Sequence, residues 1–384
     1  MEYIPRQVSN SDVKDTTIDH TGVAESFIHL ATAAPTTAED EGTGYAVGNL
    51  WIDYSNGETY VCINSTDEGA KWAAQDGSDD VNIFKIGGST YGFHVGGNPL
   101  SSNINRYTFA SPSDSSDQAE ITATRGYMAE GSCRNTTHSF MNGGGSTPGM
   151  SSSVDIIERM ALSAPHAGAD VGELSQALVM AATATNGTKA IVAGGAPPPT
   201  TYVDQIEGYT LGGSPITSSD LSAELTAIRG NAAGVSDTLS DRMFIQGGED
   251  GPPAGHTNKI EKIDFASTVD STDWGDLQGA TAGSQGSSST THGYSTGGAP
   301  ASNTIEKFTY STPANATDVG ELTETCFEGG GCQSTTDGFK ATGHSPGVGS
   351  VTDKIEKYSY SSDGNSSDVG ESAESKRRVY GTEV

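Results

Sequence analysis

Basic residues are scarce: 20 Lys and Arg stand against 49 Asp and Glu in 384 residues, a formal net charge of −29 with histidine neutral. A surface of that sign repels phosphate backbones, so nucleic-acid binding through a basic groove is excluded. Cysteine is scarce too. Cys62, Cys133, Cys326 and Cys332 are too few for a disulfide framework in this length, and none stands in a C-x-x-C pair. No apolar run approaches the roughly 18 residues of a membrane helix, so no membrane insertion is expected. Met1 to Arg6 lacks the basic and apolar regions of a secretory signal, and none is expected there. The hydrophobic set is only 33% of the chain and aromatics 7%. Glycine is what the chain has in plenty, 50 residues, roughly twice the usual share of about 7%. Glycine and the apolar set together reach the globular range, while Pro and Gly stay short of the roughly 25–30% typical of disorder. A folded chain rich in turns is expected.

Those glycines are periodic. An apolar residue precedes a glycine by four places in six segments: Phe93 to Gly97, Phe140 to Gly144, Ile191 to Gly195, Phe244 to Gly248, Tyr294 to Gly298 and Phe339 to Gly343. The second glycines lie 45 to 53 residues apart. After each comes an Ile-led segment, as in Ile157-Glu158-Arg159-Met160, Ile260-Glu261-Lys262-Ile263 and Ile355-Glu356-Lys357-Tyr358. A third element follows, clearest in Asp170-Val171-Gly172-Glu173, Asp318-Val319-Gly320-Glu321 and Asp368-Val369-Gly370-Glu371; the copy at Asp220 to Glu224 has an extra residue.

The pairs Tyr107/Phe109, Phe308/Tyr310 and Tyr358/Tyr360 alternate with polar residues at period two, which is strand spacing. Gly-Gly ends one strand where φ turns positive, and Asp-x-Gly suits an Asx-type turn. Roughly fifty residues per four-stranded sheet, repeated radially, predicts an all-β, six-bladed β-propeller over 86–384. The tail after Glu371 has no seventh unit to enter. It is expected to supply the innermost strand of the first blade beside Tyr91 to Val95, closing the ring and leaving no raw edge. Residues 34–80 read as a small β module, with Leu50-Trp51-Ile52-Asp53, the turn Ser55-Asn56-Gly57 and Glu58 to Cys62 as its hairpin; residues 1–33 read as an extended arm.

Gly-Gly after an apolar strand at this period resembles the kelch class of propellers, across residues 86–384. The departure from that class is tryptophan, which is not repeated, Trp274 being the only one in the array; the fold is therefore kelch-like. The wording Ile-Glu-Lys-Phe/Tyr-x-Tyr, Asp-Val-Gly-Glu-Leu and Thr-Thr-His-Gly-Tyr-x-x-Gly-Gly resembles repeats of bacteriophage virion proteins, notably of cyanophages. Gly-x-Leu-Trp-x-Asp with Tyr-Val and Trp, over residues 34–76, is similar to a module of phage tail-fibre proteins that connects a virion anchor to a distal domain. These resemblances imply a virion (tail) location, an arm bound to other virion proteins, and a homo-oligomer, with a trimer favoured.

No catalytic constellation emerges. Ser65 to Trp72 approaches the Asp-box of sialidase propellers, but it occurs once and outside the repeat. His138 and His292 share a repeat position with Lys189, Arg242 and Asp337, which reads as a solvated strand position. Cys133 and Cys332 are repeat-equivalent and belong to separate blades, whereas Cys326 and Cys332 are close enough to pair or to stay buried thiols. Asp270, Asp273 and Asp276 lack the spacing of a calcium loop. No metal, cofactor or enzymatic activity is expected. Between the second Gly and the Ile the copies vary most in length, so these loops, at Gly145 to Asp155, Glu249 to Asn258, His344 to Asp353 and the proline-stiffened Ala196 to Tyr202, form the expected recognition surface. Tyr202, His256 and Asn258 are the candidate ligand contacts there, since aromatic and amide groups suit sugar stacking and hydrogen bonding. The expected function is a tail fibre or receptor-binding appendage gripping a host-surface glycan or protein. A structural tail or capsid ornament is the alternative, and a carbohydrate-active enzyme the third reading.

Overall fold

A computed structural model describes residues 28–53, 58–66, 69–74, 84, 86–111, 113–147, 152–198, 201–251, 255–266, 268–347 and 350–384. The chain divides into two compact units, Met1–Ile83 and Phe84–Val384. Among the described residues there is no α-helix; apart from one 3-10 turn at Glu41–Thr43, the regular structure is β.

In the first unit the expected hairpin pairs Leu50–Asp53 with Glu58–Asn64, Trp51 opposite Tyr60. Lys71–Ala74 extends the sheet on one side and Ile28–Ala31 on the other, parallel to Leu50–Asp53. The alternation of the strands buries Trp51, Tyr60, Cys62 and Trp72 in one cluster. The boundary expected at residue 33 therefore falls beyond a strand of the sheet: His29 stacks on Trp51 with centroids 4.2 Å apart, and that contact draws the end of the arm into the module. The rest of the arm, residues 1–27, and the turn Ser55-Asn56-Gly57 lie outside the described residues.

The described residues of the second unit form six four-stranded sheets in chain order. The first joins Tyr380–Glu383, Tyr91–Val95, Ser101–Thr108 and Ser116–Arg125; the third joins Ala182–Thr185, Lys189–Ala193, Val203–Thr210 and Ser219–Arg229. The fourth joins Ala233–Asp237, Arg242–Gln246, Thr257–Asp264 and Thr272–Thr281. The fifth joins Gln285–Ser288, His292–Thr296, Thr304–Thr309 and Thr317–Glu321; the sixth joins Gly330–Gln333, Asp337–Ser345, Ser350–Ser359 and Ser367–Glu371. The C-terminal segment runs antiparallel to Tyr91–Val95, Tyr380 opposite Val95 and Thr382 opposite Phe93.

The second sheet, His138–Asn142, Val154–Ala161 and Gly168–Leu178, departs from the pattern. The chain that precedes His138–Asn142 runs beside it with a bulge and forms no regular strand. Ala129 N–H donates to Asn142 O at 3.1 Å and Phe140 N–H to Cys133 O at 2.8 Å, so four steps of chain face two, with Gly131 at φ 122° taking up the excess. Ile216–Thr217 completes this sheet, parallel to Gly168–Leu178.

Each sheet shares its apolar core with the next. Phe140 and Ile157 of the second pack with Val192 and Tyr209 of the third, and Phe244 and Trp274 of the fourth with Phe308 and Tyr310 of the fifth. Phe339 and Ile355 of the sixth pack with Tyr107 of the first. The remaining neighbours share clusters in the same way. Burying each such side chain contributes about 1.5–3 kcal/mol. The first strands approach one another so closely that glycine is required: a Cβ on Gly331 would lie 2.3 Å from Gly286 O, and one on Gly381 2.1 Å from Gly331 O. Phe84–Val384 is an all-β, propeller-like fold.

Candidate recognition face

The Gly-Gly pairs have a shared task. The second glycine, which in the sixth copy follows Thr342, donates its N–H to the carbonyl at the end of the outermost strand or just beyond it: Gly97 to Arg125, Gly144 to Leu178, Gly195 to Arg229, Gly248 to Thr281, Gly298 to Cys326 and Gly343 to Lys376, all at 2.7–2.8 Å. The next residue forms a bridge with the chain leading into a first strand: Asn98 with Arg377, Gly145 with Gly126, Ala196 with Val179, Glu249 with Gly230, Ala299 with Ala282 and His344 with Phe327. The variable loops and the lead-ins to the first strands therefore share one face.

One residue after each of those lead-ins stand Tyr127, Met180, Asn231, Gly283, Glu328 and Arg378, with φ between 54° and 63°. Their backbones form a cycle of hydrogen bonds. Met180 N–H donates to Tyr127 O at 2.9 Å, Asn231 to Met180 at 2.8 Å, Gly283 to Asn231 and Glu328 to Gly283 at 2.7 Å, Arg378 to Glu328 at 2.5 Å, and Tyr127 to Arg378 at 3.3 Å. The left-handed conformation costs about 1 kcal/mol or more at each non-glycine position, which the bonds offset at about 1 kcal/mol apiece.

The centre of the cycle is closed. Glu130 O accepts from Thr183 N–H at 2.9 Å and Gly234 N–H at 3.2 Å, while its carboxylate accepts from Gly331 N–H of the sixth sheet at 3.3 Å. Desolvation holds this carboxyl well above the ordinary glutamate range, against the opposing pull of the Gly331 N–H. The cavity beside it is about 30 Å³, room for water at most. Above it, Glu328 binds both Arg378 and, at 3.2 Å, Arg377. The Arg378 guanidinium lies 4.1 Å over the Tyr127 ring, and the Tyr127 hydroxyl accepts from Asn98 at 2.9 Å. These side chains bind one another, an arrangement suited to rigidity.

The fold has solved relatives. The structure titled "Structure of YjhT" is similar at a TM-score of 0.57 and 13% sequence identity, over 74% of this chain and 97% of that chain. At that identity the likeness is one of fold alone. No protein-family model matches the chain, and no curated protein does.

Two of the three candidate contacts meet at one residue. The Tyr202 hydroxyl donates to Glu249, which also accepts from Asn231 Nδ2 at 3.2 Å, and Glu249 is bridged through its backbone to His256. Tyr202 is half-buried beside Tyr127, Val179 and Met180, its ring lying where a Cβ on Gly230 would be 2.2 Å away. Burial and the bond to Glu249 raise its pKa. Tyr202 is thus a prop of the face as well as part of its surface. Asn258 stands apart, donating to Leu277 O at 3.4 Å. The tips of four variable loops, residues 148–151, 199–200, 252–254 and 348–349, lie outside the described residues.

The Ile-Glu glutamates, read as repeat markers, prove to be latches. Each reaches back to a backbone N–H of the preceding sheet: Glu158 to Thr122, Glu207 to Ser175 at 2.8 Å, Glu261 to Thr226 at 3.0 Å, Glu306 to Gln278 at 2.9 Å and Glu356 to Thr323 at 3.2 Å. Arg125 and Arg229, whose carbonyls the Gly-Gly pairs bind, add buried ion pairs to Glu158 and Glu261. In the first sheet Asn105 takes the place of the glutamate, and Ala373 N–H finds Ser115 Oγ at 2.9 Å instead. Burial, with Lys376 nearby, pushes His94 at this junction down to about 3, and its Nε2 lies 2.7 Å from Ser372 Oγ.

The Asp-x-Gly elements carry the expected Asx bonds, Gly172 to Asp170 at 3.2 Å, Gly320 to Asp318 at 3.1 Å and Gly370 to Asp368 at 3.2 Å, but as bulges of the outermost strands instead of separate turns. All four thiols are free and buried, Cys326 and Cys332 included. Burial pushes Cys133 up to about 11 and raises the other three, which makes them poor nucleophiles and metal ligands. His138 and His292 open their strands half-exposed. Asp273 pairs with Lys259 at 3.4 Å, and Asp270 accepts from Glu224 N–H at 3.1 Å.

Proposed function

We propose that Phe84–Val384 is a six-bladed, kelch-like β-propeller closed by its C-terminal strand, and that a bacteriophage virion displays it as a non-enzymatic, receptor-binding appendage of tail-fibre type. The six shared cores, with Tyr107 packed on Phe339, and the cycle from Tyr127 through Arg378 support the closed ring. The virion setting is supported by the wording of the repeats. Residues 1–33 anchor the chain to other virion proteins, and the chain assembles as a homo-oligomer in the tail.

One observation carries the recognition reading: every variable loop emerges on the face whose six lead-ins are locked to one another by the hydrogen-bond cycle. A locked scaffold lets loop sequences change without loss of fold, as a binding surface needs. The ligand is a host-surface glycan or protein held by non-covalent contacts, with Tyr202, His256 and Asn258 on the side of the third and fourth blades. The test keeps Glu249, replaces residues 250–257 with the shorter Pro300–Ser302, and measures adsorption of the assembled particles to host cells. Adsorption should fall by about tenfold, the loss of roughly 1.4 kcal/mol of contact, with particle stability unchanged. Unchanged adsorption with less stable particles overturns the reading in favour of a structural ornament. Turnover of host polysaccharide by the isolated chain overturns its non-enzymatic part.

A further inference from the structure

The six junctions share one design, and one of them has a gap. The residue whose carbonyl binds the second glycine is Arg125 at the first junction, then Leu178, Arg229, Thr281, Cys326 and Lys376. Arg125 and Arg229 fill the space beside the latch glutamate with a guanidinium. Leu178 fills it with hydrocarbon, buried in the shared core. At the fifth-to-sixth junction Cys326 is accompanied by Lys340, which lies beside it and stands opposite Glu356 in register.

At the fourth-to-fifth junction no described residue takes the place of the arginine. Thr281 is short, and a pocket of about 350 Å³ opens beside it, lined by Thr281, Ser302, Thr304, Glu306 and Asp318. Asp318 stands opposite Glu306 in register, so two carboxylates share the pocket. Thr281 is 8% exposed, and its Oγ1 is buried with no hydrogen-bond partner. Burial, with Asp318 adding to it, holds the Glu306 carboxyl above its ordinary value, as expected of a latch without a counter-charge. The connection from Gly298 to Thr304 is one of the short ones, so no long loop roofs the pocket. Its volume lies at the small end of ligand sites, which run from roughly 300 to 1,000 Å³.

We propose that this pocket binds a guanidinium group, such as the arginine side chain of a partner peptide or protein, with Glu306 and Asp318 as its acceptors. The choice of cation follows from the molecule: twice in the same array the latch glutamate holds a guanidinium whose planar fork matches a carboxylate. The site does not depend on the virion reading and stands whether or not the loop face grips a receptor.

The test titrates the full chain with N-acetyl-arginine amide and with its neutral urea isostere, N-acetyl-citrulline amide, by calorimetry. The arginine amide should bind at one site with a millimolar Kd and the citrulline amide about tenfold more weakly or not at all. Glu306→Gln should abolish binding. Thr281→Arg, which places a guanidinium in the pocket from within, should abolish it too and raise Tm. Should either variant fail to fold, Asp318→Asn on the rim should still weaken binding several-fold. Equal binding of the two amides, full binding by Glu306→Gln, or no saturable binding at millimolar concentrations overturns the proposal.

Discussion

The first-to-second and third-to-fourth junctions close on a buried arginine and glutamate, whereas the second-to-third and fourth-to-fifth use the same glutamate with no cation. The shared part is the backbone N–H that each carboxylate accepts, and that is what the repeat preserves. The cation is optional. A buried ion pair only about breaks even against well-packed hydrocarbon, because desolvating both charges consumes most of their attraction. Leu178 therefore does at one junction what Arg229 does at another. The protonation of the latches follows the same division. Burial pushes Glu261 up, but Arg229 and the bonds from Ser271 and Thr226 outweigh it and hold the carboxyl below its ordinary value. Glu207 and Glu306, buried without a cation, are held above theirs.

The sharpest way to break this comparison is Arg229→Ala, which strands Glu261 as a buried unpaired charge. Denaturant unfolding should show a loss of about 3–5 kcal/mol. The double replacement Arg229→Leu with Glu261→Gln removes both charges, fills the space with hydrocarbon as Leu178 does, and should restore most of it. A double variant as weak as the single one would contradict the equivalence of the two junction types. Next in size is Gly331→Ala, which tests whether close approach of the first strands is required at all junctions alike. Its Cβ would meet Gly286 O at 2.3 Å, and the expected cost is about 1–3 kcal/mol. Smaller again is Glu306→Gln, which keeps an acceptor for Gln278 N–H and removes a charge with no partner. Its effect at neutral pH should be under about 1 kcal/mol, against a clear loss for Glu261→Gln.

The smallest expected effect is in pH dependence, and its sign differs between the two kinds of junction. The folded-state pKa of Glu261 lies below the unfolded value, so its contribution is present above the ordinary glutamate pKa and is lost as pH falls through the depressed value. Glu207 and Glu306 lie above, so each favours the folded chain more as pH falls from the raised value toward the ordinary one. Unfolding curves across the acid range should therefore become less steep with Glu261→Gln and steeper with Glu207→Gln. Identical profiles for the two variants would remove the electrostatic distinction.

The repeat was legible because backbone geometry demands particular residues. Gly-Gly takes positive φ at both places and presents an N–H to a fixed carbonyl, and few other residues do that cheaply. The tail's pairing with Tyr91–Val95 was legible from arithmetic, a final unit without a successor. The hydrogen-bond cycle was not. Tyr127, Met180, Asn231, Gly283, Glu328 and Arg378 share a conformation with no shared chemistry, since the lead-ins impose it and side-chain preference does not. Nor does a sequence separate a loop tyrosine that greets solvent from one that fills the space over Gly230, as Tyr202 does. The latch role of the Ile-Glu glutamates escaped because the N–H each one accepts belongs to the preceding sheet, a relation invisible within one repeat.

The proposed closure of the six sheets into one ring is tested most directly by amide hydrogen exchange at Tyr127, Met180, Asn231, Gly283, Glu328 and Arg378. In the intact chain all six should be protected to a similar degree, and removing residues 380–384 should expose all six together, Asn231 and Gly283 included. Rapid exchange in the intact chain, or truncation that leaves Asn231 and Gly283 as protected as before, would contradict it.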